Sequence, residues 1–313
     1  MRTQTIHLNI LFFLALVNCE LAANEIDMQL IPAGIFTMGS EETDNKNRAA
    51  EFGSEKPWYA DEKPARKINL PAFYIDKYEV SNEQYREYIL KNQKQPTKFW
   101  LEKGYHYSFD LERLQQAPMN ILKKMASTLL QLDMDTRHMN QQQLVGAILS
   151  HYNYFSSLPV TFISWQEAAD YCQAQGKRLP SEAEWEKTAR GDSQQRFVWG
   201  EQWEPGLANI GEEEWPMGVA PVGSYKTDQS PHAVFDLAGN VSEWTNDWYQ
   251  AYPGSDYVNK FYGQKHKVAR GGGWSAEGHY ALELYYRAAY RINLNPDRRY
   301  NDVGFRCAKD AIK

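Results

Sequence analysis

FDLAGNVSEWTNDWY, residues 235–249, lies at the centre of a region without long periodic segments. From Gly191 to the end of the chain, Gly, Pro, Asn, Asp and Trp separate short apolar stretches. This composition is typical of short strands joined by loops. It predicts a loop-rich β region in which the loops carry the ligand sites.

Within that stretch, the hexapeptide GNVSEW places two oxygen-bearing side chains close together. Asn240 and Glu243 are three residues apart, with backbone carbonyls between them. Proteins surround a hard cation with this mixture of side-chain and carbonyl oxygens. The loop therefore has the oxygen donors expected of a hard-cation site.

Two capped helices are predicted immediately before this region. Ser164 is a candidate N-cap for a helix that carries Cys172 and ends near Gly176. Ser181 has Glu184 three residues later, which is the spacing of a capping box, and predicts the start of the next helix.

The N-terminal half contains strands and then a change of composition. Residues 28–40 predict two short strands about a turn, and residues 68–90 predict a strand followed by a helix capped by Ser81. Residues 41–66 are charged and nearly free of aliphatic side chains, so a surface loop is expected there. Residues 95–155 predict a helical insertion that packs on the main body. The apolar residues at roughly helical spacing are Leu111, Leu114, Ile121, Leu122, Met125, Leu129, Leu130 and Leu132.

Composition narrows the function classes. The 313-residue chain is 42% hydrophobic and 14% aromatic, enough apolar material for one large domain with an insertion. Its formal net charge is −6, and the sequence has no basic stripe of the kind that binds phosphates. Nucleic acid is therefore not expected as a partner.

The first 23 residues are interpreted as a signal peptide. Arg2 supplies positive charge and residues 10–17 form an apolar run that is too short to span a membrane. Cys19 resembles the cysteine of a bacterial lipoprotein box, although Asn18 stands where such boxes usually have a small residue. No later transmembrane segment is predicted, and we expect a periplasmic or secreted protein.

The cysteine count favours a disulfide. Of three cysteines, Cys19 lies in the signal region, which leaves Cys172 and Cys307 in a compartment where disulfides persist. Such a bond stabilises a fold by about 2–4 kcal/mol. A redox-active or metal-binding thiol pair is the alternative, and the CxxC spacing that would favour it is missing.

Motifs along nearly the whole chain resemble the formylglycine-generating enzyme, or sulfatase-modifying factor, family. The resemblance covers residues 28–313 except for the insertion, and it implies an α+β, C-type-lectin-like fold with little regular secondary structure. The matching segments are IPAGIFTMGS, FYIDKYEVSNEQY, GKRLPSEAEWEKTARG, VWGEQWEPGLANIG, APVGSY, FDLAGNVSEWTNDWY, VARGGGW and NDVGFRCA.

The resemblance also implies structural calcium and a disulfide. It assigns one calcium site to Asn240, Glu243 and the backbone oxygen of Val241. It places a second site at Asn209 and Ile210, with an acidic residue of the following loop, here one of residues 212–214. Cys172 and Cys307 fall where the family has a structural disulfide.

One departure from the family concerns its chemistry. The family oxidises a sulfatase cysteine to formylglycine with oxygen and a copper ion held by two cysteines, a few residues after an R-G-G-S-aromatic segment. Here Gly273 replaces the serine, and Ser275, Ala276 and Ala281 stand in the neighbourhood where the cysteines belong. Soft thiolates select Cu(I). No copper is therefore expected, and formylglycine generation is not carried over.

Other chemistries find weaker support. Some relatives bind non-haem iron through histidines, but the seven histidines here are scattered, without i, i+3 or i, i+4 spacing. Ser275, His279 and Glu283 could form a hydrolase triad, yet nothing else marks Ser275 as an activated nucleophile. A polar cleft wall is the favoured interpretation. The candidate pocket residues are Trp274, Ser275, His279, Tyr280, Glu283 and Arg287.

Two functions remain open, and whether the protein is an enzyme is undecided. In the first, it is a ligand-binding or accessory protein for a small molecule, peptide or protein, as in surface-displayed variable relatives. In the second, it is a cysteine-independent oxidoreductase that tailors a periplasmic metabolite or peptide, as in relatives implicated in pyoverdine maturation. Fold-level analogy supports both. A monomer is expected.

Overall fold

The computed structural model describes residues 27–54, 57–105, 110–212, 215–274 and 283–311. Its strands are β1 (Met28–Ile31), β2 (Gly34–Met38), β3 (Arg66–Leu70), β4 (Phe73–Asp76), β5 (Ser242–Trp248), β6 (Lys267–Arg270), β7 (Ile292–Leu294), β8 (Val303–Gly304) and β9 (Ala308–Asp310). Its α-helices are α1 (Arg48–Glu51), α2 (Asn82–Lys91), α3 (Lys98–Lys103), α4 (Leu111–Gln116), α5 (Met119–Lys124), α6 (Gln141–Ser157), α7 (Trp165–Ala174) and α8 (Glu182–Arg190).

The strands that the structure describes form three small sheets. In the first, β4 lies between β1 and β9, so both ends of the described chain pair with one strand. The second is the antiparallel pair of β2 and β3. The third has the order β7-β6-β5-β8, with β5 and β8 parallel. The mixed helices and short strands agree with the predicted α+β class.

Serine caps begin the helices where the sequence predicts them. Ser81, Ser164 and Ser181 each accept a hydrogen bond from the backbone N–H three residues later. The residue at that position returns a side-chain bond to the cap, which completes a capping box. The structure confirms these predictions. They are possible from the sequence because capping depends on residues only three apart.

The predicted disulfide is present. Cys172 on α7 is bonded to Cys307, immediately before β9, and both residues are fully buried. The bond joins residues 135 positions apart. It therefore ties α7 to the strand that closes the first sheet.

The interior near α8 contains many paired charges. Glu182 accepts hydrogen bonds from both Arg270 and Arg291, and Glu186 pairs with Arg270 and Arg190. All five side chains are buried. We call these residues, together with the Arg306–Glu243 pair of the third sheet, the ionic core. Buried charges of this kind are tolerated only when paired and hydrogen-bonded.

The expectation of a surface loop at residues 41–66 was wrong for its second half. Trp58 is buried, and Asp61 and Glu62 are at most 1% exposed in a short 3₁₀ turn. Tyr249 donates a hydrogen bond to Asp61, and Arg287 donates two to Glu62. The acidic residues that suggested solvent exposure are the partners of buried arginines and a tyrosine from distant parts of the chain.

Helices occupy much of the segment that the sequence marks as an insertion. Helices α4, α5 and α6 and a π-helical turn enclose an aliphatic cluster of their own, which we call the aliphatic core. Its buried members are Leu114, Leu122, Ala126, Leu130, Leu144, Val145 and Ile148. Leu111 and Ile121, which share the helical spacing, are about half exposed. None of the described helices has both the length and the apolar character needed to cross a membrane.

Candidate functional site

The loop before β5 is held in its shape by one buried carboxylate. Asp228 accepts hydrogen bonds from the backbone N–H groups of Leu237, Ala238 and Gly239. Two other loop residues, Asp236 and Asn240, adopt left-handed backbone conformations, with φ of 56° and 65°. Non-glycine residues seldom adopt this conformation because it is sterically unfavourable. The hydrogen bonds to Asp228 therefore stabilise an unfavourable loop conformation.

The two predicted calcium ligands of this loop have different partners. The Asn240 side-chain amide donates to Glu79 at 2.7 Å and accepts from the backbone N–H of Ala220 at 2.8 Å. Glu243 accepts from Arg306 through both carboxylate oxygens, at 2.7 Å each, and from the Trp185 indole. Arg306 therefore neutralises the Glu243 charge.

The two predicted calcium segments lie against each other. The Asn209 side chain donates to the Asn240 side-chain oxygen at 3.1 Å, and the Asn240 backbone N–H donates to the Asn209 carbonyl at 2.8 Å. Ile210 is buried, whereas Glu212 is exposed. Residues 213 and 214, the remaining candidates for an acidic ligand, lie outside the described residues.

Three buried carboxyl groups lie in or beside the loop: Glu79, Asp228 and Asp236. The sequence analysis did not identify any of them. Burial raises the pKa of Asp236 to about 7, with a contribution from the negative charge of Asp228. Burial raises the pKa of Asp228 to about 6, although its backbone hydrogen bonds oppose the rise. Burial, then the charges of Asp236 and Glu243, raise the pKa of Glu79 well above its usual range. The positive charge of Arg306 opposes the rise of the pKa at all three carboxyl groups. Together with Glu243, four buried carboxyl groups therefore share the influence of Arg306.

A cavity of about 370 Å³ is connected to this loop through Trp274. Trp274 lines it, and its backbone N–H donates to the Asn240 carbonyl at 2.8 Å. The Trp274 ring lies so close to Gly218 that a Cβ there would overlap it. The other large side chains of the wall are Phe99, Phe162, Met217 and Lys103.

Two other predicted pocket residues, Arg287 and Glu283, have partners away from the described lining of this cavity. Arg287 is 2% exposed and donates two hydrogen bonds to Glu62, with its guanidinium 4.4 Å from the Tyr59 ring centroid. Glu283 forms an ion pair with Arg196 at 3.3 Å. Ser275, His279 and Tyr280 lie outside the described residues. Of the three predicted pocket residues that the structure describes, Trp274 therefore lies at the cavity, whereas Glu283 and Arg287 do not.

Comparisons with known proteins identify the family to which the chain belongs. The family described as "Sulfatase-modifying factor enzyme 1-like domain" matches residues 17–311. The formylglycine-generating enzyme of Bos taurus is 30% identical over 300 residues, which covers 90% of this chain and 74% of the relative. The inactive C-alpha-formylglycine-generating enzyme 2 of Bos taurus is 29% identical over 298 residues, which covers 91% and 89%.

The solved structure of PvdO from Pseudomonas aeruginosa has the same fold. It aligns with a TM-score of 0.56 and 21% identity, over 91% of this chain and 94% of that chain. Family match, sequence identity and fold all lead to one conclusion: the chain belongs to the sulfatase-modifying factor family, to which it is similar over nearly its whole length.

Proposed function

We propose that this chain is an exported member of the family that does not generate formylglycine and that acts by binding a ligand, as a binding or accessory protein. The proposal is supported by the positions of the cysteines and by their pairing. Residues 270–283 contain none, and the two beyond residue 19 are bonded to each other. A copper site built from two thiolates therefore has no thiol pair to use.

A titration with Cu(I) tests this proposal. Under non-reducing conditions, which keep the Cys172–Cys307 bond intact, the protein competes with a chromogenic Cu(I) chelator. We expect the chelator to retain its copper in the presence of the wild-type protein. An A276C/A281C variant serves as the comparison, since it restores two thiols after the glycine segment. Tight uptake of one equivalent of Cu(I) by the wild type would contradict the proposal.

Export is supported by the same disulfide, because such bonds persist in oxidising compartments. The N-terminal 23 residues would direct it. Expression with and without these residues, followed by cell fractionation, tests the point: the full chain should leave the cytoplasm and the shortened chain should remain there. A Cys19→Ser variant in the full chain distinguishes a lipid-anchored product from a freely released one.

We also propose that calcium orders the loop before β5. The support is the crowding of buried carboxyl groups, since Glu79, Asp228 and Asp236 share the cation Arg306 with Glu243. A divalent cation would favour the ionised form of these groups, whose pKa burial raises. Among the described residues, no three His, Cys, Asp and Glu side chains are arranged to hold a metal by themselves. Amide and backbone oxygens would have to complete the ligand set.

The structure changes which residues we assign to that cation. Glu243 is already paired with Arg306, whereas Asp236 contributes a carboxylate with no cation bonded to it by any hydrogen bond that the structure describes. We therefore add Asp236 to the predicted set of Asn209, Ile210, Asn240, Val241 and Glu243. When bound, calcium would supply positive charge to the loop and fix its shape beside the cavity.

A further inference from the structure

We propose that the cavity beside Trp274 binds a small aromatic molecule that carries a negative charge, with its rings against the aromatic wall and its anionic group at Lys103. The inference rests on the proposed function as a ligand-binding protein and names the class of ligand. Three features support it: the aromatic walls of the cavity, the strained backbone of Phe162 and the positive charge of Lys103.

The walls of the cavity are suited to flat rings. Phe99 and Phe162 stack with their ring centroids 4.7 Å apart and their planes at 21°. Both side chains, like those of Met217 and Trp274, are only partly buried, so each keeps a surface toward the open space. Aromatic and sulfur-containing side chains of this kind contact planar ligands favourably.

Phe162 is held in an unfavourable backbone conformation. Its φ of 57° is rare for a bulky residue, and its backbone N–H donates to the Tyr300 carbonyl at 2.9 Å. Strain of this kind costs about 1–3 kcal/mol and is concentrated at ligand sites. The fold therefore maintains a costly conformation that places this ring in the cavity wall.

Lys103 gives the cavity its charge. Among the described lining residues it is the one charged side chain, and none of them is acidic. Lys103 is partly buried, and its side chain forms no ion pair with any residue that the structure describes. Burial lowers the pKa of nearby His151, and the positive charge of Lys103 adds to this effect. The cation is thus available to a bound anion.

The other described polar residues of the cavity wall add no charge to the site. Asn82 is buried, donates to the Phe155 carbonyl and accepts from the Trp100 indole, so its side chain is used by the fold. Thr161 and Asn301 are neutral. A cavity of about 370 Å³ is in the usual range for small-molecule sites, about 300–1,000 Å³.

Calorimetry with two matched probes tests the proposal. The probes are 2-naphthoate and its neutral counterpart 2-naphthamide, titrated into the full chain. We expect the wild type to bind the carboxylate about tenfold more tightly than the amide, as a charge-assisted hydrogen bond would give. Lys103→Gln should remove this preference without affecting the affinity for the amide.

Two controls keep the outcomes distinct. Lys98→Gln lies on the same helix, with its side chain 91% exposed, and should leave both affinities unchanged. Phe99→Ala should weaken both probes alike. Equal affinity of the wild type for the two probes would overturn the anionic class while leaving a ligand-binding function intact. Failure of both probes to bind would overturn the aromatic site itself, independently of the copper titration.

Discussion

The ionic core and the aliphatic core stabilise one chain in different ways. In the ionic core, Arg270, Arg291 and Arg306 are each at most 1% exposed and donate to carboxylates and backbone carbonyls. In the aliphatic core, leucines from neighbouring helices contact each other without polar partners. The first arrangement depends on the direction of each hydrogen bond, and the second depends on filled volume.

This difference explains where regular structure occurs. Hydrogen bonds from buried guanidinium groups satisfy backbone carbonyls such as those of Asp61 and Phe235, so loops can be buried there without strand pairing. The aliphatic core has no such donors, and its backbone is satisfied within helices. Directional pairing therefore permits buried loops around the ionic core, whereas the backbone around the aliphatic core is hydrogen-bonded within helices.

The candidate ligand cavity is lined from both the helical segment and the main body. Phe99 and Lys103 come from α3, at the start of the helical segment, whereas Phe162 and Trp274 come from the main body. The helical segment thus contributes the charge and one ring of the cavity wall, and the main body contributes the strained Phe162 and the Trp274 ring.

The largest expected effect is in the ionic core. Arg306→Leu leaves Glu243 buried without its cation, and loss of one partner of a buried pair costs about 3–5 kcal/mol. Denaturant unfolding should show this loss, or the protein should fail to fold. The double variant Arg306→Leu with Glu243→Leu should recover part of the stability. A single variant as stable as the wild type would show that the pair is unimportant.

In the aliphatic core, the loss should be smaller and more local. Leu122 is fully buried, and Leu122→Ala should cost about 3 kcal/mol through lost contacts and a cavity. Hydrogen exchange should become faster in α4, α5 and α6 and remain unchanged in β4 and β5. Equal acceleration in the strands would show that the two cores unfold as a single unit.

Calcium should have an effect that grows with pH. The pKa of Asp236 is raised from 3.8 to about 7, so between about pH 4 and 7 the folded state binds more protons than the unfolded state. Without calcium, this group makes the free energy of unfolding fall as pH rises through that window. Calcium binds the ionised form, so its stabilisation should be larger at pH 8 than at pH 5.

Thermal melts measure this effect. At a calcium concentration one hundred times the Kd, stabilisation is about 2.7 kcal/mol, which corresponds to a rise of about 4–5 °C in Tm for a domain of this size. Asp236→Asn should abolish the rise, whereas Asp256→Asn, in an exposed loop, should not. A wild-type Tm that calcium leaves unchanged at pH 8 would count against the site.

The smallest effect is expected at the surface of the helical segment. Arg137 pairs with Asp135 at 2.8 Å, but the two side chains are 82% and 51% exposed. Arg137→Gln should leave the denaturation midpoint unchanged because solvent screens such pairs. A clear loss of stability would show that the contrast between buried and exposed ion pairs does not hold in this chain.

The sequence predicts best what depends on near neighbours. The Ser81, Ser164 and Ser181 caps and the helices that follow them were predictable because each signal spans three or four residues. The disulfide was predictable because the cysteine count left one pair.

Features that join distant residues were not predictable in this way. Glu62 meets Arg287 across 225 residues, and Glu79 meets Asn240 across 161. Neither carboxylate has a local pattern that distinguishes it from a solvated one. Asp236 could have been suspected, since it lies four residues before Asn240 in the same motif. Lys103 could not, because its place at the cavity depends on how α3 packs.

The central claim is that the family architecture persists here without the family's chemistry, and mass spectrometry of a substrate peptide tests it most directly. A peptide containing a sulfatase-type cysteine is incubated with this protein, oxygen and copper, beside the Bos taurus formylglycine-generating enzyme as a positive control. We predict that the bovine enzyme converts the cysteine to formylglycine and that this protein leaves the peptide mass unchanged. Conversion of the peptide by this protein would contradict the claim.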